Sequence, residues 1–185
     1  MRRGDESAFA AAFAEHRGAV HRYATQMGGA MGADDVVQET FLTVIRQLDR
    51  YDASRGPLRA YLLGIARNLM LKRMAMRPPD TPFEPSDEPI AAQQESPLEQ
   101  LTRAEAIARV RMAIRTLPEP YREVVVLCEM DELEYADAAA VIGCPIGTVR
   151  SRLHRAKALL IQKLGPMLRP ALAGASPTAA DDRDN

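Results

Sequence analysis

The sequence predicts an all-α protein built from two small helical domains joined by a flexible acidic linker, and three observations carry that expectation. Trp is absent and 5% of residues are aromatic, while Ala, Leu, Arg and Met abound, a composition that favours helices over sheets. Apolar residues recur at spacings of three and four in both halves of the chain. Between the halves lies PPDTPFEPSDEPIAAQQESPL, residues 78–98, with five acids, no base and six prolines; such a segment can neither pack a core nor run as a helix. The organisation expected is a helical domain over 1–77, the linker over 78–98, a second helical domain over 99–164 and a disordered tail over 165–185.

Whole-chain properties narrow the function classes. The 185 residues carry a formal net charge of −1, but 1–77 hold 12 Lys/Arg against 8 Asp/Glu, net +4. No apolar run approaches the roughly 20 residues of a membrane span, and MRRGDESAFA has no apolar centre of the signal-peptide kind, so a cytoplasmic protein without membrane insertion is expected. Cys128 and Cys144 stand apart, with no CxxC or nearby His, and read as buried or half-buried thiols rather than as a metal site or a disulfide. His16, His21 and His154 are scattered, and no Gly-rich phosphate loop appears. No catalytic constellation, cofactor site or metal site is expected.

In the first domain, Asp34 and Asp35 after Gly32 predict a capped, charge-stabilised helix start. Val37, Phe41, Val44 and Leu48 then form its core stripe, and Asp35, Gln38, Glu39 and Leu42 form a mixed acidic and apolar outer face. In the next helix, Leu62, Ile65, Leu69 and Met76 fit the buried stripe, opposite a surface of Arg59, Arg67, Asn68, Lys72, Arg73 and Arg77.

The second domain carries the sharper signal. EYADAAAVIG predicts a short helix whose alanines allow close packing and whose Gly143 supplies a left-handed stop. After the turn Gly143-Cys144-Pro145, the stretch from Ile146 to Leu160 places Ile146, Val149, Leu153, Ala156 and Leu160 in one apolar arc of about 80°. Thr148, Arg150, Ser151, His154 and Arg155 lie on the opposite, acid-free side. Two short helices about a Gly turn, the second basic and outward facing, describe a helix-turn-helix reader of the DNA major groove.

GTVRSRLHRA resembles the recognition helix in region 4 of bacterial sigma-70 factors of the extracytoplasmic-function group, and LPEPYREVVVLCEMDELEYADAAAVIG resembles the rest of that region. GADDVVQETFLTVIRQLDRYD resembles the region 2 helix that grips core RNA polymerase; GPLRAYLLGIARNLMLKRM resembles the segment that melts and reads the promoter. The resemblance implies a sigma factor that binds core polymerase through the clamp helices of its largest subunit and through its flap. Asp35, Gln38, Glu39 and Leu42 would meet the clamp. Arg67, Asn68, Lys72 and Arg73 would contact the minus-10 element, with a flipped base read by Asn68. Thr148, Arg150, Ser151, His154 and Arg155 would read the minus-35 element. It further implies nucleoid association and an anti-sigma protein as partner. Tyr61 and Lys72 depart from the common Trp and Asp of relatives. The competing reading, a stand-alone helix-turn-helix regulator, needs a ligand or phosphorylation domain, and the N-terminal half shows no alternating α/β pattern for one.

Overall fold

The computed structural model describes residues 6–29, 32–76 and 97–173, and among them there are helices and turns but no strand. In the first half, α1 spans Glu6–Gly28, α2 Ala33–Arg46 and α3 Leu58–Ala75, with two short 3-10 turns between α2 and α3. In the second half, α4 spans Pro97–Arg115, α5 Glu119–Val125, α6 Tyr135–Ile142 and α7 Ile146–Ala173. A π-helical turn, Val126–Met130, continues α5.

Helices α1, α2 and α3 pack on one another around Val20, Tyr23, Val36, Phe41, Leu62 and Leu63. The rings of Phe9 and Phe13 close one end against Phe41, at centroid distances of 6.1 and 4.8 Å. The end of the Met70 side chain from α3 lies over Gly28 of α1, in space that a Cβ there would share. In the second half, Leu117, Val124, Leu127, Ala138, Val149, Leu153 and Ala156 are buried where α5, α6 and α7 meet.

Several expectations are adjusted by the structure. Val37, Phe41 and Val44 are buried as the spacing requires, but α2 also buries Val36 and Thr40. Its N-cap is Gly32, in the left-handed region at φ 89°, and neither acid caps by hydrogen bond; Asp34 and Asp35 sit in the first turn, where they favour the helix dipole. In α3, Leu62 is buried and Ile65 and Leu69 are half-buried, while Met76, the C-cap residue past the helix end, is 72% exposed. The helix has two packed sides. Ala60, Leu63, Ala66 and Met70 are buried within the first half, while Tyr61 and Ile65 face a cleft whose far wall is α6. Ile146, expected in the apolar arc of α7, is exposed because it is the first residue of the helix. Helix α4 begins at Pro97, inside the segment read as linker; proline suits a first helical position because its missing N–H has no intrahelical partner there anyway. Helix α7 continues to Ala173, past the expected boundary at 164. The rest of the linker reading, the basic-surface residue Arg77 and the tail from 174 onward lie outside the described residues.

The two halves are not separate bodies on a tether. Helix α3 packs along α6, and α1 touches α4, α5 and the π turn.

Two substitutions test the framework. Leu63→Ala, at a fully buried position, is expected to destabilise the fold by about 2–5 kcal/mol. Gly143→Ala is expected to cost about 1–2 kcal/mol, because φ is 76° there and no atom crowds an added methyl, which leaves backbone strain as the whole effect. Denaturant midpoints at constant m-value measure both.

Candidate nucleic-acid and polymerase interfaces

The helix-turn-helix forms as the turn chemistry requires. Gly143 adopts the left-handed conformation (φ 76°, ψ 41°), and the N–H groups of Gly143 and Cys144 both donate to the Ala139 carbonyl, at 2.9 and 3.1 Å. The chain then re-enters a helix directly, with Thr148 N–H on the Pro145 carbonyl at 2.9 Å. Val149, Leu153 and Ala156 anchor α7 on α5 and α6. That anchoring turns Arg150, Ser151, His154 and Arg155 outward, all exposed, with Thr148 half-buried beside them. Arg150 and Arg155 form no ion pair among the described residues, so two cations stand on an acid-free face near the start of a long helix. Behind that face, Lys157 Nζ holds Glu129 Oε1 of the π turn at 2.9 Å, and this contact braces α7 against α5.

On α2 the burial of Val36, Val37, Thr40, Phe41 and Val44 leaves Asp35, Gln38, Glu39 and Leu42 together on the exposed side. Ile45, 46% exposed, extends this acidic and apolar surface and was not singled out from the sequence. Its position seven residues after Gln38 and three after Leu42 was the available signal.

The basic face of α3 is more divided than its spacing suggests. Lys72 and Asn68 are exposed, and Asn68 lies at a cleft of about 360 Å³ between the halves, opposite Asp137, Ala140 and Val141 of α6. Arg73 reaches instead to α2, with Nη1 on the Gly32 carbonyl at 3.0 Å and Nη2 on Glu39 at 3.1 Å. Arg67 is turned into the junction, where Nε donates to Glu123 Oε1 at 2.7 Å. Burial opposes its charge, but the hydrogen bond and charge of Glu123 more than offset that and raise its pKa. The Tyr23 hydroxyl donates to the same oxygen at 2.8 Å. Burial first, then the charge of Glu123 and the hydrogen bond to it, holds the Tyr23 phenol well above its ordinary pKa, so it remains a donor.

A second buried carboxylate closes the junction. Asp131, 0% exposed, takes Arg22 Nε at 2.9 Å and Arg22 Nη2 on Oδ1, while its carbonyl accepts from Arg59 at 2.9 Å. Burial pushes its pKa up to about 6 despite the opposing attraction of Arg22 and Arg59. From the other half, Arg122 donates to the Gln26 carbonyl at 3.3 Å. Sequence reading gave no role to Tyr23, Arg22, Glu123 or Asp131. Cys128 and Cys144 are free and half-buried, and burial raises the Cys128 thiol to about 11.

Comparison with known proteins fits this geometry. Residues 12–77 match the model of sigma-70 region 2, and 107–160 match that of sigma-70, region 4. A probable RNA polymerase sigma-C factor of Mycobacterium bovis is 34% identical over 150 residues, which span 80% of this chain and 78% of that protein. The RNA polymerase sigma-H factor of Pseudomonas aeruginosa is 33% identical over 187 residues, 92% of this chain and 93% of its own length. The chain belongs to the extracytoplasmic-function group of the sigma-70 family. It is an RNA polymerase sigma factor that directs promoter-specific transcription. Among solved structures, the sigma factor RpoE of Bartonella quintana, in complex with the anti-sigma factor NepR, superposes with a TM-score of 0.70 at 27% identity, covering 85% of this chain and 97% of that one. CnrH, in complex with the cytosolic domain of CnrY, superposes with a TM-score of 0.60 at 28% identity, covering 94% and 92%. In this sigma factor α2 and α3 therefore lie in region 2, and the turn at Gly143 with α7 lies in region 4.

The raised pKa of Asp131 has a definite sign. A carboxyl whose folded value is near 6 and whose ordinary value is 3.8 takes up a proton on folding between those limits. Its contribution to stability is fully present below 3.8 and is lost as pH rises through about 6. The stability of the parent relative to Asp131→Asn is expected to fall by roughly 2 kcal/mol between pH 4 and 7. Urea unfolding of both proteins across that range checks it; a constant difference contradicts it.

Proposed function

We propose that the three exposed faces divide the work of initiation. The outer side of α2, with Asp35, Gln38, Glu39 and Leu42, grips the clamp helices of the largest polymerase subunit, and region 4 approaches the flap. The α3 surface of Arg67, Asn68, Lys72 and Arg73 engages the melted minus-10 element, with cations on the phosphates and the Asn68 amide on a base edge. Helix α7 reads the minus-35 element through Thr148, Arg150, Ser151, His154 and Arg155. The observation that carries this reading is the helix-turn-helix about Gly143, which leaves Arg150 and Arg155 free of ion pairs among the described residues on an acid-free face. The protein acts without catalysis or cofactor of its own, in the cytoplasm and at the nucleoid. Like the sigma factor RpoE of Bartonella quintana, which was solved with the anti-sigma factor NepR, it takes an anti-sigma protein as partner.

Base contacts and phosphate contacts separate experimentally. An arginine bidentate to guanine is worth about 1–3 kcal/mol of discrimination, whereas a phosphate contact weakens binding to all sequences and lowers the salt slope by about one. Arg150 sits nearer the helix start, which enters the groove in this motif. Arg150→Ala should relax preference within the upstream element, and Arg155→Ala should mainly lower affinity and its salt dependence. Binding of the polymerase holoenzyme to matched and mismatched promoters at several salt concentrations decides between the roles. An unchanged discrimination ratio in Arg150→Ala removes it as a base reader.

The polymerase face has its own test. Asp35→Lys with Glu39→Lys should weaken core binding at least about ten-fold, a loss of about 1.4 kcal/mol, with helix content largely intact because both side chains lie off the buried stripe of α2. Equal core affinity in parent and double variant would sink this assignment.

A further inference from the structure

A cavity of about 520 Å³ lies where α1, α2 and α4 meet, a size that holds a small organic ligand. Its lining is one-sided in charge. Arg17 and Arg22 come from α1 and Arg111 and Arg115 from α4, against one carboxylate among the described residues, that of Asp34. This carboxylate stands in water, with 99% of its side chain exposed, and lies 3.6 Å from His21 Nε2. Arg22 is committed to Asp131, while Arg17 is exposed and has no ion pair among the described residues. Arg115 is 8% exposed, so its charge acts on the cavity with less screening than a surface cation would.

Two further features mark the space as a site. Gly18 sits in the interior of α1, where glycine costs a helix stability relative to alanine, yet an added Cβ there would meet no atom within 4 Å. Packing does not ask for that glycine, and it lies on the cavity lining. Gln26, on the same lining and 3% exposed, has a side-chain oxygen with no hydrogen-bond partner among the described residues. A buried acceptor left unmatched costs stability, and a donor on a ligand would satisfy it.

We infer that this cavity is a binding site for a small phosphorylated organic anion of the nucleotide class. Guanidinium groups hold phosphate oxygens in charge-assisted, two-donor contacts, and Arg17, Arg111 and Arg115 supply them from two sides. The Gln26 oxygen takes a hydroxyl or amino donor, which bare phosphate lacks, and Phe13 and Val37 offer an apolar wall to a base. A single phosphate would leave most of the volume empty. None of the residues assigned to promoter DNA lines the cavity, so the site stands independently of those assignments.

Isothermal titration of the full chain with ATP and with GTP, in magnesium-free buffer so that the phosphates keep their charge, tests the site. At least one of the two should bind saturably with a dissociation constant below about 1 mM. The matching nucleoside should bind at least about ten-fold more weakly for want of phosphates, and pyrophosphate likewise for want of the nucleoside. Arg17→Glu should weaken binding by about ten-fold. Gly18→Leu should abolish it by filling the space, with helix content and thermal midpoint at or above the parent's because leucine favours a helix more than glycine does. Arg46→Glu, the same change of charge at the far end of α2, should leave affinity within about two-fold. The absence of saturable binding by both nucleotides overturns the site. Equal losses in Arg46→Glu and Arg17→Glu overturn it too, since they mark diffuse attraction, and unchanged affinity in Gly18→Leu places the ligand elsewhere. A nucleoside or pyrophosphate that binds as tightly as the nucleotide overturns the ligand class.

Discussion

A carboxylate taken out of water must be matched by donors that came out with it, and Glu123 is that group here. It is 5% exposed, and both donors on its Oε1, the Tyr23 hydroxyl and the Arg67 guanidinium, come from the other half of the chain. Leaving a buried charge unpaired costs several kcal/mol, so Glu123 fixes where α5 can sit against α1 and α3. The position of α6 along α3 and the cleft beside Asn68 follow from it. Beyond the π turn, Asp131 is matched less fully: Arg22 donates to Oδ1, Arg59 to the backbone carbonyl, and Oδ2 has no hydrogen-bond partner.

Within each region the forces are of a different kind. Region 2 is held by interlocked apolar side chains, with Tyr23, Leu62 and Leu63 fully buried and two Phe rings against Phe41. Region 4 is held by Leu117, Val124, Leu127 and Val149. Polar contacts are concentrated where the regions meet. The apolar cluster also runs on from one region into the other, so the junction is held by burial as well as by ion pairs.

Much of the fold was legible because its signals are local. The alanine-rich α6, the stop at Gly143 and the α7 stripe of Val149, Leu153 and Ala156 all act within a few residues, and the turn formed as the glycine required. The outer face of α2 was legible for the same reason: one packed side leaves the other open. At the end of α3 the same logic ran one turn too far, because Met76 caps the helix and stands in solvent beyond it. The junction was invisible for a physical reason. Arg22 and Asp131 are 109 residues apart in sequence, Tyr23 and Glu123 are 100 apart, and each alone reads as an ordinary surface or core residue. The cations of α3 were read as a uniform DNA face, yet Arg67 and Arg73 each had a nearer carboxylate, in Glu123 and Glu39.

The thiol of Cys128 sits on the π turn, between the core and Lys157, with its pKa raised to about 11. Peroxides and disulfides react with the thiolate rather than the thiol, and at neutral pH a group with that value is ionised in only about one molecule in ten thousand. Cys128 is thereby a slow partner for oxidants, on the turn whose Glu129 pairs with Lys157 of α7.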